Sequence, residues 1–272
     1  MRASDTEVLT PGSAAQAVEA FGDGRGITVF AGGTILMPEI AAGRYPRGGR
    51  TLMLDRAGLD QLDQLGGDGT VAIGAMVPLS KLAGSRIEPL AAAAREVGDL
   101  EIRAQATIGG NLCAPPAAES PRGDLQAALL AMGARVRSAG KAGERTESVE
   151  DFLARSEDET RLVLAIEVDK PRRASYLSLR RPHAHSYAAM TVACAQNDGN
   201  GVVRVAAGGV APRAKRLHGV ERALAEGASG EDAAARALDE VDPQDDALAS
   251  AWYRRNVLPT LITRALEQLQ GG

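Results

Sequence analysis

The chain has 272 residues, a formal net charge of −4 and two cysteines, which allows two or three compact lobes and offers no electrostatic footprint for DNA or RNA. No window approaches the ~20 apolar residues of a membrane span, so no membrane insertion is expected. Cys113 and Cys194 are too far apart to suggest a disulfide framework, and "MRASDTEVLTPGS" lacks the apolar core of a signal peptide, so a cytoplasmic chain with reduced thiols is expected.

In "TPGSAAQAVEAF" an early Pro11 and Ser13 as a cap predict a helix. "GITVFAGG" reads as a short buried strand ending in glycines, and "RTLMLD", Arg50 to Asp55, as another. "LGGDGTVAIGAM", Leu65 to Met76, reads as a turn feeding a strand, and "PLSKLAGS" and "EPLAAAAREVGD" are helical by spacing. "ATIGGNLC", Ala106 to Cys113, reads as the end of an extended run breaking into a turn that needs bare backbone. After the Pro-rich "APPAAESPRGD", "DLQAALLAMGA" predicts a helix with Asp124 as a candidate cap. "ARVRSAG" and "RLVLAIEV" read as strands, with polar "GKAGERTESVED" between them.

Past Pro171 the texture changes. "ASYLSLR", "AAMTVACAQ" and "GVVRVAAGGVAP" have the length and spacing of three successive antiparallel strands. Three helical patterns follow, "LHGVERALAEG", "GEDAAARALDEV" and "DDALASAWYRRNVLPTLITRALEQL". The expected class is α+β, with an α/β part at 1–170 and a smaller strands-then-helices part at 171–272.

Several chemistries are excluded. His183, His185 and His218 with two distant cysteines match no zinc spacing, and no metal site is expected. Nucleophile elbow, Walker A and H-E-x-x-H motifs are missing. "GDGTVA", Gly67 to Ala72, fits a dinucleotide fingerprint by letters but precedes its strand instead of following one, so it reads as a hairpin turn. No carboxylates form an obvious catalytic pair, and no catalytic residue is assigned.

Two glycine segments remain, "AGGTILMP" and "TIGGNLC". Successive backbone amides can converge on the spread charge of a pyrophosphate, and glycine lets it approach closely. Thr34 and Thr107 could add hydroxyls and Asn111 an amide. Alternatively each Gly-Gly only permits a tight turn with positive φ, and either segment alone supports no more than that.

The two segments together, with "AIGAM", "PPAAESPRGDLQAALLAMGARV", "YLSLRRPHAHSYAAMTVACA", "AAGGVAPRAKR" and "SAWYRRNVLPTLITRAL" in order, resemble the FAD-binding medium subunit of the molybdenum hydroxylases, the xanthine dehydrogenase and carbon monoxide dehydrogenase type. The resemblance covers nearly the whole chain. It implies a vanillyl-alcohol-oxidase-like FAD domain of two α/β subdomains, about 1–55 and 56–170, then a C-terminal α+β flavoprotein domain. It further implies FAD held by Ala31, Gly32, Gly33, Thr34 and Ile35 on one side and Thr107, Ile108, Gly109, Gly110 and Asn111 on the other. Where the family commonly has Asp after the threonine this chain has Ile35. Where the family has "PAAD" the acid is Glu119, placed toward the cofactor's hydroxyls. Ser186 and Tyr187 fall where the family brings a loop to the flavin, so Tyr187 could cap the ring. Cys113 reads as a small buried hydrophobe.

Flavin then carries the redox chemistry. The implied partners are a large molybdopterin-binding subunit and a small [2Fe–2S] subunit in a heterotrimer, with NAD+, oxygen or another acceptor downstream. Two alternatives stand beside this reading: a flavin-less scaffold or maturation protein of the same fold, and a stand-alone flavin oxidase.

Overall fold

In the computed structural model, residues 7–44, 49–65, 69–115, 123–155, 159–180, 187–197 and 201–271 are described. The chain begins with strand β1 (Glu7–Leu9), helix α1 (Ala14–Phe21), strand β2 (Ile27–Phe30), helix α2 (Leu36–Ala41) and strand β3 (Arg50–Met53). Ser13 caps α1 as its sequence suggests, its hydroxyl accepting from the Gln16 amide at 3.3 Å. The three strands form a parallel sheet in the order β1-β3-β2. Ala17 and Phe21 of α1 pack on Leu52 and Leu54 to make a small core.

A second lobe follows: β4 (Leu62–Leu65), β5 (Thr70–Gly74), α3 (Leu79–Ala83), α4 (Leu90–Glu96), α5 (Leu100–Gln105), α6 (Ile108–Leu112), α7 (Gln126–Met132), β6 (Arg135–Gly140), β7 (Gly143–Ser148), α8 (Val149–Ala154) and β8 (Leu162–Asp169). Its five strands are antiparallel, in the order β4-β5-β8-β6-β7. The register Leu65↔Thr70 makes the "GDGT" connection a hairpin, although residues 66–68 themselves lie outside the described set.

Two expectations are corrected here. The approach to "TIGGN" is not an extended run but α5, capped by Asp99, whose side chain accepts from the Ile102 amide at 2.8 Å. Ala106 and Thr107 alone are extended between the two helices, and Gly109 and Gly110 belong to the short helix α6. Asp124 does not cap α7: the cap position is Leu125, and no side chain caps it. The polar stretch before β8, given no element from its letters, contains both β7 and α8, with the Ser148 hydroxyl accepting from the Asp151 amide at 3.0 Å.

The last third comprises β9 (Arg173–Leu179), β10 (Met190–Gln196), β11 (Val203–Gly208), β12 (Lys215–Arg216), α9 (His218–Ala225), α10 (Gly230–Ala235), a single 3-10 turn over Arg236–Asp239, and α11 (Ala251–Gly271). The sheet is antiparallel, ordered β12-β11-β10-β9. β10 is apolar on both faces because both are covered. Met190, Val192 and Cys194 meet the core under α9–α11, while Ala193 and Ala195 face the core containing α7. Every residue of α7 is buried, so this helix joins the second lobe to the last sheet. A Leu129→Ala change there would cost about 2–5 kcal/mol.

Arg254 and Arg255 of the "YRR" signature fasten the segment before α11. The Arg254 guanidinium, only 3% exposed, grips both Asp246 carboxylate oxygens at 2.7 and 2.8 Å, and Arg255 donates to the Val241 and Leu238 carbonyls. No helix among the described residues is long and apolar enough to cross a membrane.

Candidate functional site

A cleft of about 320 Å³ runs between the first two lobes. Both glycine segments line it. So do the ends of β2, β3 and β5, the start of β8, and Tyr187 just before β10.

The first segment leaves β2 and turns sharply, with Gly33 in the left-handed region at φ +72° and Ile35 in the right-handed region. Among the described residues no acceptor meets the amides of Gly32, Gly33, Thr34 and Ile35. All of Ala31, Gly32, Gly33, Thr34 and Ile35 line the cleft. A left-handed residue in such a turn, followed by right-handed Ile35, is the kind of backbone whose successive N–H groups can converge on an anion.

The second segment is built differently. The Ile108 amide donates to the Val77 carbonyl at 3.0 Å and the Gly109 amide to the Ala75 carbonyl at 2.9 Å. The Gly110 amide donates to Thr107 Oγ1 at 3.2 Å, and the Asn111 amide to the Thr107 carbonyl at 2.9 Å. The amides of Ile108 to Asn111 are therefore spent inside the protein, which corrects the expectation that those amides converge with the first segment's on one anion. What remains for the cleft is side-chain chemistry. The Thr107 hydroxyl keeps its proton after accepting from Gly110. The Asn111 carbonyl oxygen accepts from the Leu125 amide at 2.9 Å, leaving its Nδ2 donor. Thr107, Gly109, Gly110 and Asn111 line the cleft, whereas Ile108 is fully buried in the core and does not.

The walls are apolar: Val29, Leu54, Met76, Val97, Leu162 and Val163 face the same space. None of them was singled out in the sequence, because they come from five separate elements and each looks like ordinary core. Arg161 is the one charged residue among the described lining, and its guanidinium is committed to Ser138 and to the Gly143 carbonyl. Tyr187 lines the cleft; burial pushes its phenol above the usual range, and the Asp124 carboxylate adds to the push. Cys113 is exposed into the cleft rather than buried. Crowding around its sulfur still pushes the thiol up to about 11, against a weaker opposing pull from Arg155 and Arg213. Glu119, His183, His185 and Ser186 lie outside the described residues. Among the described residues no cluster of metal-ligating side chains occurs.

These features suit a flavin dinucleotide. One rim offers unsatisfied amides to a diphosphate, the opposite rim offers a hydroxyl and a carboxamide, and the apolar walls offer contact area to an aromatic ring. Gly110 adds a cradle that any side chain would fill.

Comparisons with known proteins follow the same line. Residues 4–171 match the family described as the FAD binding domain in molybdopterin dehydrogenase, and residues 174–269 match the CO dehydrogenase flavoprotein C-terminal domain. The chain is 27% identical over 280 residues to the carbon monoxide dehydrogenase medium chain of Hydrogenophaga pseudoflava, covering 96% of this chain and 95% of that one. It is 37% identical over 202 residues to the uncharacterized protein YgfM of Escherichia coli K12, covering 72% and 71%. The structure superposes on carbon monoxide dehydrogenase from Hydrogenophaga pseudoflava, a form lacking the Mo-pyranopterin moiety of its molybdenum cofactor. The TM-score is 0.82 and the identity 25%, over 100% of this chain and 99% of that one. Quinoline 2-oxidoreductase from Pseudomonas putida 86 shares the fold at a TM-score of 0.81 and 21% identity, over 100% and 99%.

Proposed function

The chain belongs to the FAD-binding medium-subunit family of the molybdopterin dehydrogenases, and from that premise we propose that it is the electron-transfer flavoprotein of a molybdenum hydroxylase complex. In this reading a large molybdopterin-binding subunit hydroxylates the substrate, and a small subunit's [2Fe–2S] clusters relay the electrons to this chain. NAD+, oxygen or another acceptor then takes them away.

The observation that carries the reading is the meeting of both glycine segments on one cleft whose first rim has amides without a partner among the described residues. FAD, when bound, supplies the redox chemistry. The protein's own work is binding and shielding. The Gly32–Ile35 amides and the Thr34 hydroxyl would hold the diphosphate from one side, with Thr107 and Asn111 on the other. Leu54, Met76, Leu162 and Val163 would keep water from an enclosed ring, and Tyr187 would close over it. Glu119 remains assigned to the cofactor's hydroxyls on the family resemblance alone. We also divide the chain at 170/171, which the change of sheet at Arg173 and the two family matches support.

The test is purification of the chain alone and from a host carrying its neighbouring genes. The isolated chain should show bound flavin absorbance without oxidising substrate, and the native preparation should arrive with iron- and molybdenum-containing partners. A colourless chain that stays colourless after incubation with FAD would sink this function.

A further inference from the structure

The four glycines of the two segments are bare for different reasons. A methyl group built on Gly32 would fall well inside contact distance of the Gln105 carbonyl oxygen and stand 3.1 Å from the Ala106 Cα. One built on Gly109 would stand 2.8 Å from the Ala75 carbonyl oxygen and 2.9 Å from the Ala75 Cβ. Both obstacles are mainly backbone, which cannot swing aside as a long side chain can. Gly33 is held by its left-handed φ and by the Phe30 ring, whose Cζ would lie 2.7 Å from a methyl. Gly110 is under neither restraint: the nearest atom to its methyl would be Thr107 Oγ1 at 3.1 Å, and its backbone is helical.

The obstacles have a consistent arrangement. Gln105 and Ala106 lead directly into Thr107, so the missing side chain at 32 lets the first segment rest on the approach to the second. Ala75 follows β5, and its amide donates to the Leu164 carbonyl of β8 at 3.0 Å. The missing side chain at 109 therefore seats the second segment on the antiparallel sheet. Contact runs unbroken from the first turn, through 105–106 and α6, to the centre of that sheet.

We propose that the clasp is assembled by the chain before any ligand arrives, with Gly32 and Gly109 as positioning residues that set the gap between its halves. Gly110 is then the one glycine kept bare for the ligand. The proposal rests on the FAD reading and divides labour within it: two glycines serve protein-to-protein approach, one serves a turn, and one serves the cofactor.

The experiment compares full-length chains carrying Gly32→Ala, Gly109→Ala, Gly110→Ala and the pair Gly109→Ala/Ala75→Gly. Each is stripped of flavin, melted, and titrated with FAD. Gly110→Ala should weaken FAD binding roughly tenfold or more and leave the flavin-free melting temperature unchanged. Gly32→Ala and Gly109→Ala should lower both. The double variant removes one of the two close obstacles and should recover part of both losses. Flavin-free chains of Gly32→Ala and Gly109→Ala that melt like the wild type overturn the proposal, as does a Gly110→Ala chain that melts as low as they do. An unrescued double variant overturns the role of Gly109. A wild-type chain that takes up no FAD would instead defeat the functional reading, with the melting pattern still deciding whether the clasp is preassembled.

Discussion

The turn at Gly32–Ile35 keeps its amides open among the described residues, while Ile108–Asn111 use theirs to seat the second segment, which presents side chains instead. In letters the two are similar, each with a Gly-Gly near a threonine, which follows the pair directly in the first and precedes it by one residue in the second. The difference lies in what precedes them. The first leaves a parallel strand, where the chain runs out of ladder partners at the sheet's end, so its N–H groups have nothing to meet. The second is packed between α5 and the end of β5, where carbonyls of Ala75 and Val77 are within reach. A glycine pair does not define a donor set; its neighbours do. The two rims should therefore fail in different ways when mutated.

The largest effect is expected at Asn111. Asn111→Leu removes the cleft donor and leaves the buried Leu125 amide without its acceptor, a cost of about 1–3 kcal/mol in stability. Flavin retention should fall at least tenfold, with a lower melting temperature, read by absorbance and thermal melting. Thr107→Val comes next. It deletes both the hydroxyl donor and the cap on the Gly110 amide, costing about 1 kcal/mol and several-fold in FAD affinity. Thr34→Val should be milder than either, because four amides remain beside it. Equal losses for Thr34→Val and Thr107→Val in parallel FAD titrations would erase the distinction between the rims.

Cys113 reports on the second segment by its chemistry. With its thiol pushed up to about 11, the thiolate at pH 8 is on the order of one part in a thousand. A raised pKa favours the protonated thiol, so alkylation of the folded chain should stay slow at neutral pH and accelerate as pH climbs toward 11. The unfolded chain, with its thiol near the ordinary value of 9.0, should react up to about a hundredfold faster at the same pH. Mass spectrometry of time-resolved alkylation reads both rates, and equal rates would show that the crowding around the sulfur is absent. The smallest effect should come from salt. With Arg161 committed elsewhere and no other charged side chain in the described lining, both rims bind through neutral donors. FAD affinity should change less than about threefold between about 0.05 M and about 0.5 M salt, whereas a charge-paired site would weaken steeply.

Much of this architecture was legible in the letters. Ser13 announced α1 through its cap, and the length and spacing of "AAMTVACAQ" announced an antiparallel strand, found as β10. The misreadings have physical causes. Gly109 and Gly110 suggest a break by intrinsic propensity, yet the Thr107 cap and packing on Ala75 hold them in a helix. β7 is exposed along most of its length, so "GERTES" shows no alternation to read. α8 did carry a Ser148–Asp151 capping signal inside a polar stretch, and its polarity masked it. Of the site, the glycine segments and Tyr187 were visible as motifs. The apolar wall was not, because Leu54, Met76 and Val163 become neighbours only once the lobes meet.

β8 gives that meeting a mechanical meaning. Along this one strand Leu162 and Leu164 are buried with α1 and β3, while Val163, Ile166 and Val168 are buried with the helices of the second lobe. A strand with one foot in each of two cores makes a poor hinge, since swinging the halves apart would wet apolar surface on one side or the other. The cofactor's route in and out is therefore through the rim of a standing jaw, and its exchange rate should follow local breathing of that rim rather than the hinge motion of whole lobes.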